Sequence, residues 1–325
     1  MQTGKKTSVG LLGLQKLLAL GALVVLYVFF SIFGNNFFSA DTFVNILSSS
    51  YFIGFMALGI TFVIITGGID LSIGTNMMCG AIIGGVAYSN WHWPIAAALM
   101  LSVFISTCFG LINGILVAKL KLAPFIATLG TMLITQGFGS IVSKVQTMRY
   151  PTVTDPDGWY KFLFYKTQNN FPIGLIWLAL FFFIAYLVLN KTRLGRYTFA
   201  IGSNEEAARL SGIKVDIWKI LVYVICGFFA GLASISYVSA YTSIIPGTGN
   251  GLELLAIAGV IIGGTSMSGG IGTLSGTIIG VYLMSVLKQG LVSMNLQAHW
   301  QTFITGFVVV GAVLIDNYRI KKSAG

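Results

Sequence analysis

Apolar residues run down this chain in blocks of about twenty, separated by short polar joints. A helix rises about 1.5 Å per residue and a bilayer core is about 30 Å thick, so each block of roughly 20 residues predicts one membrane crossing. Ten blocks recur: 15–33, 50–67, 71–89, 94–118, 122–143, 172–190, 217–240, 252–267, 271–291 and 299–316. No Ser/Pro-rich linker or shift in composition divides them. The pattern therefore predicts an all-α, polytopic integral membrane protein of about ten transmembrane helices, forming one domain over 1–325.

Composition agrees: of 325 residues, 56% are hydrophobic and 9% charged, which excludes a soluble domain that hides its core from water. The cations set an orientation. Lys5, Lys6 and Lys16, then Lys119 and Lys121, then six between Lys191 and Lys219, then Arg319, Lys321 and Lys322 make 14 of the 19 Lys and Arg residues. They fall on one set of joints, which the positive-inside rule makes cytoplasmic along with both termini. The long polar insert at about 144–171, with Pro151, Asp155, Pro156 and Asp157, then lies outside, as an ordered cap, a contact for an external partner or a plain connection. The net charge of +10 follows from this topology and from contact with the lipid bilayer, and predicts no nucleic-acid partner. Cys79, Cys108 and Cys226 all lie inside spans, which leaves neither a disulfide framework nor a metal site. The stretch after Lys16 is about as long as a full span and lacks a small-residue cleavage site, so it reads as the first membrane helix rather than a signal peptide.

Glycines four apart, such as Gly110 with Gly114, Gly227 with Gly231, Gly259 with Gly263 and the ladder Gly272, Gly276, Gly280, predict helices that approach backbone to backbone. Two denser stretches share the order Gly, Gly, any residue, polar, any residue, Ser: 67–72 and 263–268. Unwound backbone at membrane depth is tolerated where it lines a cavity or is packed in protein, which makes Asp70, Ser72, Thr265 and Ser266 candidate pathway residues. A tight turn with Asp70 or Ser266 capping the next helix is the plainer alternative. In the fifth span Thr128, Thr131 and Thr135, with Gln136, fall along one side. They line a path for a hydroxylated solute or bond their own preceding carbonyls. Glu253, three residues after Asn250, reads as a helix-capping arrangement.

Charge is concentrated between 191 and 216, where Ser203 and Glu206 form a capping box and Gly212 a helix stop. The spacing predicts a helix over about 204–211, a rod of roughly 12 Å. Glu205 and Glu206 suit its N-terminus, Ala207 and Ala208 permit close approach, Arg209 supplies a cation and Leu210 an apolar knob. Mixed charge with two alanines fits a protein partner better than a lipid surface, which calls for a uniformly basic polar face.

Glu206, Ala207, Ala208 and Gly212 resemble the coupling motif of ABC importer permeases. The flanking run from Thr192 through Gly195, Arg196, Ala200, Ile201 and Gly202 to Ile213 resembles the permeases for ribose, galactose, xylose and related sugars. Matching blocks are Asn45 to Leu47, Thr66 to Gly74, Pro124 to Met132 and Glu253 to Gly276, so the resemblance covers roughly 35–316. Gln289 before Gly290 and Leu291, and Gly259, depart from the family pattern. The resemblance implies a non-catalytic permease of a bacterial cytoplasmic membrane, moving a ribose-like monosaccharide. Its implied partners are a second permease subunit, a homodimer being expected, an ABC ATPase subunit and an extracytoplasmic sugar-binding protein. ATP and Mg would sit on the ATPase, with no cofactor in this chain, which agrees with its lack of a glycine-rich phosphate loop. Two other classes compete. An ion-coupled secondary transporter is disfavoured because an interior almost free of charge is expected, and an intramembrane enzyme because Ser266 lacks both a Gly-x-Ser-x-Gly setting and a base.

Overall fold

The computed structural model describes the backbone of residues 3–324, and side chains outside 3–15, 298, 315, 317 and 319–324. Lys5, Lys6, Arg319, Lys321 and Lys322, on which the orientation partly rests, therefore have side chains outside the described residues. In chain order the helices are α1 (Thr3–Phe33), α2 (Ala40–Ile65), α3 (Ile73–Ser89), α4 (Ile95–Ala118), α5 (Pro124–Val142), α6 (Trp159–Phe164) and α7 (Gly174–Lys191). They continue with α8 (Arg193–Ser203), α9 (Glu205–Leu210), α10 (Val215–Ala240), α11 (Leu252–Ile262), α12 (Leu274–Ser293) and α13 (Ala298–Ala324). Two-residue strands β1 (Met148–Arg149) and β2 (Ser243–Ile244) pair antiparallel.

Each of the ten apolar blocks falls on a helix, and among the described residues seven of these helices are long and apolar enough to cross a membrane: the Lys16–Phe33 part of α1, then α2, α4, α5, α7, α10 and α12. Of the other three, α3 has 17 residues and α11 only 11, while the 27-residue α13 has a shorter apolar part, His299–Leu314. α2 is apolar on all sides and runs through the middle, buried from Tyr51 to Ile65, as a helix without a polar face must be. α10, α11, α12 and α7 pack around it.

The glycine pairs perform the packing their spacing predicts. Where α4 crosses α10, Gly110 and Gly227 face each other so closely that a methyl on either would sit 2.8 Å from the other's Cα. α11 and α12 cross at Gly263 on Gly276 and Gly259 on Gly280. Without a hydrophobic drive between helices in lipid, this backbone approach supplies the van der Waals contact.

The polar insert is an ordered cap. β1 holds β2, the Tyr150 N–H donates to the Thr242 carbonyl, and the Lys161 ammonium donates to the last carbonyls of α10, Val238 and Ser239, at 3.2 and 3.1 Å. A cation on helix C-terminal carbonyls is favourable, but burial lowers the Lys161 pKa to about 8.

Candidate functional site

At the bundle end opposite the cap, α8 and α9 form a shelf. α9 is six residues, about 9 Å long, not the eight expected. Its cap is Asn204 rather than Ser203: Asn204 Oδ1 accepts from the Ala207 N–H at 2.9 Å, while Ser203 closes α8 and its hydroxyl donates to Phe199. The strongly amphipathic α8 takes Ser203 into its last turn, which corrects the predicted capping box. The stop is as predicted. Gly212, at φ +83°, donates to Arg209, and Ile213 donates to Ala208, the paired bonds of a left-handed helix end.

The coupling candidates divide between two faces. Ala208 is buried with Ile201 and Val215 and fastens α9 to the bundle. Glu206, Ala207 and Leu210 face outward, Leu210 at 85% exposure. Glu205 is bound by Arg209 at 3.2 Å and by Lys219 of α10. Asp216 is bound by Lys121 of the α4–α5 joint at 2.6 Å and by Arg209 at 3.6 Å. Burial pushes the Glu205 pKa up, yet the Lys219 and Arg209 cations outweigh it and hold the carboxyl below its ordinary range. The Lys121 hydrogen bond does the same to Asp216. Exposed pairs of this kind add little stability each. Together they fix the orientation of α9 against two neighbouring segments.

The two Gly-Gly turns meet beneath this shelf. The Gly270 N–H donates to the Ile65 carbonyl at 2.8 Å, so the turn after α11 is bonded to the end of α2. Gly202, in the last turn of α8, lies on that bond: a methyl there would collide with the Ile65 carbonyl and stand 2.6 Å from the Gly270 nitrogen. Each turn is organised by a carboxylate. Asp70 accepts from the Ser72 N–H at 2.9 Å and its hydroxyl at 2.6 Å, and Asp316 of α13 accepts from the Met267 N–H at 3.1 Å and the Ser266 hydroxyl at 3.4 Å. Thr265 is fully buried beside them.

Behind the first turn lies a polar seam. Asn113 of α4 donates to the Ser72 hydroxyl at 2.8 Å and to both Asp70 oxygens at 3.4 Å, and the Thr131 hydroxyl of α5 donates to Asn113 Oδ1 at 2.6 Å. Thr135 meets Thr75 at 2.8 Å, while Thr128 bonds the Pro124 carbonyl of its own helix. Asp70, Ser72, Thr128, Thr131 and Thr135 are thus brought together, all buried, between α3, α4 and α5. Asn113 and Thr75 were missed; a lone amide inside an apolar span was the available signal for Asn113.

The span through α11 is half helix and half unwound chain. From β2, the segment 245–251 descends along α3 until Gly249 packs on Gly74 and Met78, and α11 begins only there. Asn250 does not cap α11; its amide donates to Gln136 Oε1 at 3.3 Å, and Gln136 Nε2 donates to the Gly247 carbonyl at 2.6 Å. Gly251, at φ +90°, stands at the cap position, and Glu253 turns its carboxylate back onto the Gly251 N–H at 2.9 and 3.0 Å. Asp70 and Glu253 are both buried, with no cation paired to either among the described residues. These two are the exceptions to the expectation of an interior almost free of charge. Local backbone donors stabilise both groups, which a count of charges along the chain does not reveal.

Comparison with known proteins places this architecture. Residues 42–313 match the family described as branched-chain amino acid transport system / permease component. The chain is 39% identical over 314 residues to the ribose import permease of Escherichia coli (strain K12), covering 92% of each chain. It is 38% identical to that of Bacillus subtilis (strain 168), covering 96% of this chain and 94% of the relative. A fructose import permease of Rhizobium meliloti is 32% identical, over 92% of this chain and 84% of the relative.

Proposed function

The chain belongs to the family of permease components of branched-chain amino acid transport systems, and from that premise we propose that it imports a neutral monosaccharide of the ribose type, driven by a separate ATPase. It is a non-catalytic, multi-pass membrane subunit of the ABC transporter class. The observation that carries the sugar reading is the 39% identity to a ribose import permease across 92% of both chains.

The geometry supports the rest. On the α8–α9 shelf, Glu206, Ala207 and Leu210 form the surface that docks the ATPase, where ATP and Mg are bound. Both termini and the shelf are then cytoplasmic, and the β1–β2 cap faces the extracytoplasmic sugar-binding protein. Two copies of the chain enclose the path. The Asp70, Asn113 and Thr131 seam braces α3, α4 and α5 along it, and Thr265 and Ser266 belong to the inner turn that must shift for release. Vesicles holding this chain with its ATPase and binding protein, assayed with labelled ribose, fructose and other sugars, test the proposal. ATP-dependent uptake of one of them is expected; uptake by this chain alone under an ion gradient overturns it.

A further inference from the structure

The unwound segment 245–251 poses a physical problem. Asn250 meets Gln136, and Gln136 is 12 residues along α5 from Pro124, about 18 Å up a helix some 28 Å long. Gly249 sits against the first turn of α3, and α11 spans only about 16 Å beyond it, half the thickness of a bilayer core. The segment thus lies at membrane depth.

Its backbone is not satisfied from within. Among the described residues, the N–H groups of Gly247, Gly249 and Asn250 donate to no acceptor, whereas Thr248 turns back on the Ile245 carbonyl and the Gly251 N–H is taken by Glu253. Gly247, Thr248 and Asn250 are exposed and Gln136 is half-buried. Hydrocarbon does not tolerate exposed, unpaired N–H groups, each of which costs several kcal/mol there. The strip must face water or a polar solute.

We infer that the 247–250 strip and Gln136 form the solute-contacting wall of the translocation path, and that the wall selects an uncharged, polyhydroxylated solute. This rests on the sugar-import reading and adds where the sugar touches. Unpaired N–H donors, the Thr248 hydroxyl and the Asn250 and Gln136 amides complement sugar hydroxyls, each able to donate and accept. Among the described residues no cation stands on the wall, and the Glu253 carboxyl occupies the N-terminus of α11 where an anion would otherwise bind. A phosphorylated or acidic sugar finds that helix N-terminus already taken by a carboxyl group. Gly247, exposed and at φ +79°, keeps the backbone itself at the surface, while Gly249, at φ +112°, is buried against Gly74 and Met78.

The test uses the full importer in proteoliposomes, with D-ribose as probe and wild-type ATP-driven uptake as the control for the underlying reading. Thr248→Cys and Asn250→Cys are expected to react with a polar, membrane-impermeant thiosulfonate at rates at least tenfold above wild type. Ribose should slow the reaction, while Ile126→Cys on the outer face of α5 stays unreactive. Gln136→Leu should raise the KM for ribose by about tenfold, the effect of one lost hydrogen-bonding side chain. Ribose 5-phosphate should neither be taken up nor protect the cysteines. Inert cysteines at 248 and 250 together with a wild-type KM for Gln136→Leu, in an importer whose wild type transports ribose, overturn the wall and leave the sugar-import reading intact. Should Gln136→Leu fail to insert, the cysteine reactivities decide alone.

Discussion

The Thr131 hydroxyl donates to the Asn113 side-chain carbonyl at 2.6 Å, and through Asn113 a helix on the exposed side of the protein reaches the Asp70 carboxylate at its centre. Three helices are joined by this relay of neutral groups around one buried charge. Breaking it at Thr131 leaves a buried acceptor unpaired.

Thr131→Val is therefore expected to cost about 1–3 kcal/mol, whereas Thr128→Val, whose hydroxyl bonds only its own helix, should be close to neutral. Thermal unfolding in detergent measures both. Equal melting points for the two variants would show that the relay carries no stability.

Ala207 is exposed on α9 and Ala208 is buried beneath it. Ala207→Asp should leave insertion and folding intact while abolishing co-purification with the ATPase, because docking would bury an unpaired charge. Ala208→Asp should instead lower the melting temperature of the isolated subunit. Retained ATPase binding by Ala207→Asp would dismiss α9 as the docking element.

Gly202 touches the two turns only through backbone atoms, which cannot swing aside as a long side chain can. Overpacking of this kind costs about 1–3 kcal/mol, so Gly202→Ala should bind the ATPase and sustain ATP hydrolysis while sugar moved per ATP falls roughly tenfold. An unchanged ratio of transport to hydrolysis would remove Gly202 from the route of force.

Lys161 gives a pH signature. Burial lowers its pKa to about 8, while an unfolded lysine titrates near 10.5. Between those values the unfolded state binds more protons, so folding gains stability as pH rises through the window and the contribution is flat below pH 8. The melting temperature of wild type should climb relative to Lys161→Met between pH 8 and 10. Parallel pH profiles would count against a buried, partly neutral ammonium.

Much of this architecture could be read from the chain because bilayers impose simple lengths. Twenty apolar residues give a helix, and glycines four apart give a close crossing, as Gly110 on Gly227 shows. The α9 helix was legible from its charge and its Gly212 stop. Its cap was not, because Ser203 and Asn204 are both good cap residues and only the length of α8 decides between them. The unwound strip was hidden for a deeper reason. Gly247, Thr248, Gly249 and Asn250 have the composition of any surface loop, and only packing on Gly74 and Met78 carries them to membrane depth. Asn113 was obscured by apolar neighbours, and its function depends on what α3 and α5 bring to it.

The pairing of β1 with β2 has a mechanical corollary. Met148 is yoked to Ile244, three positions before Gly247, so the polar insert and the proposed solute wall are one piece of material. A binding partner that pressed on the insert would tug this strip through Ile244, without touching the strip itself.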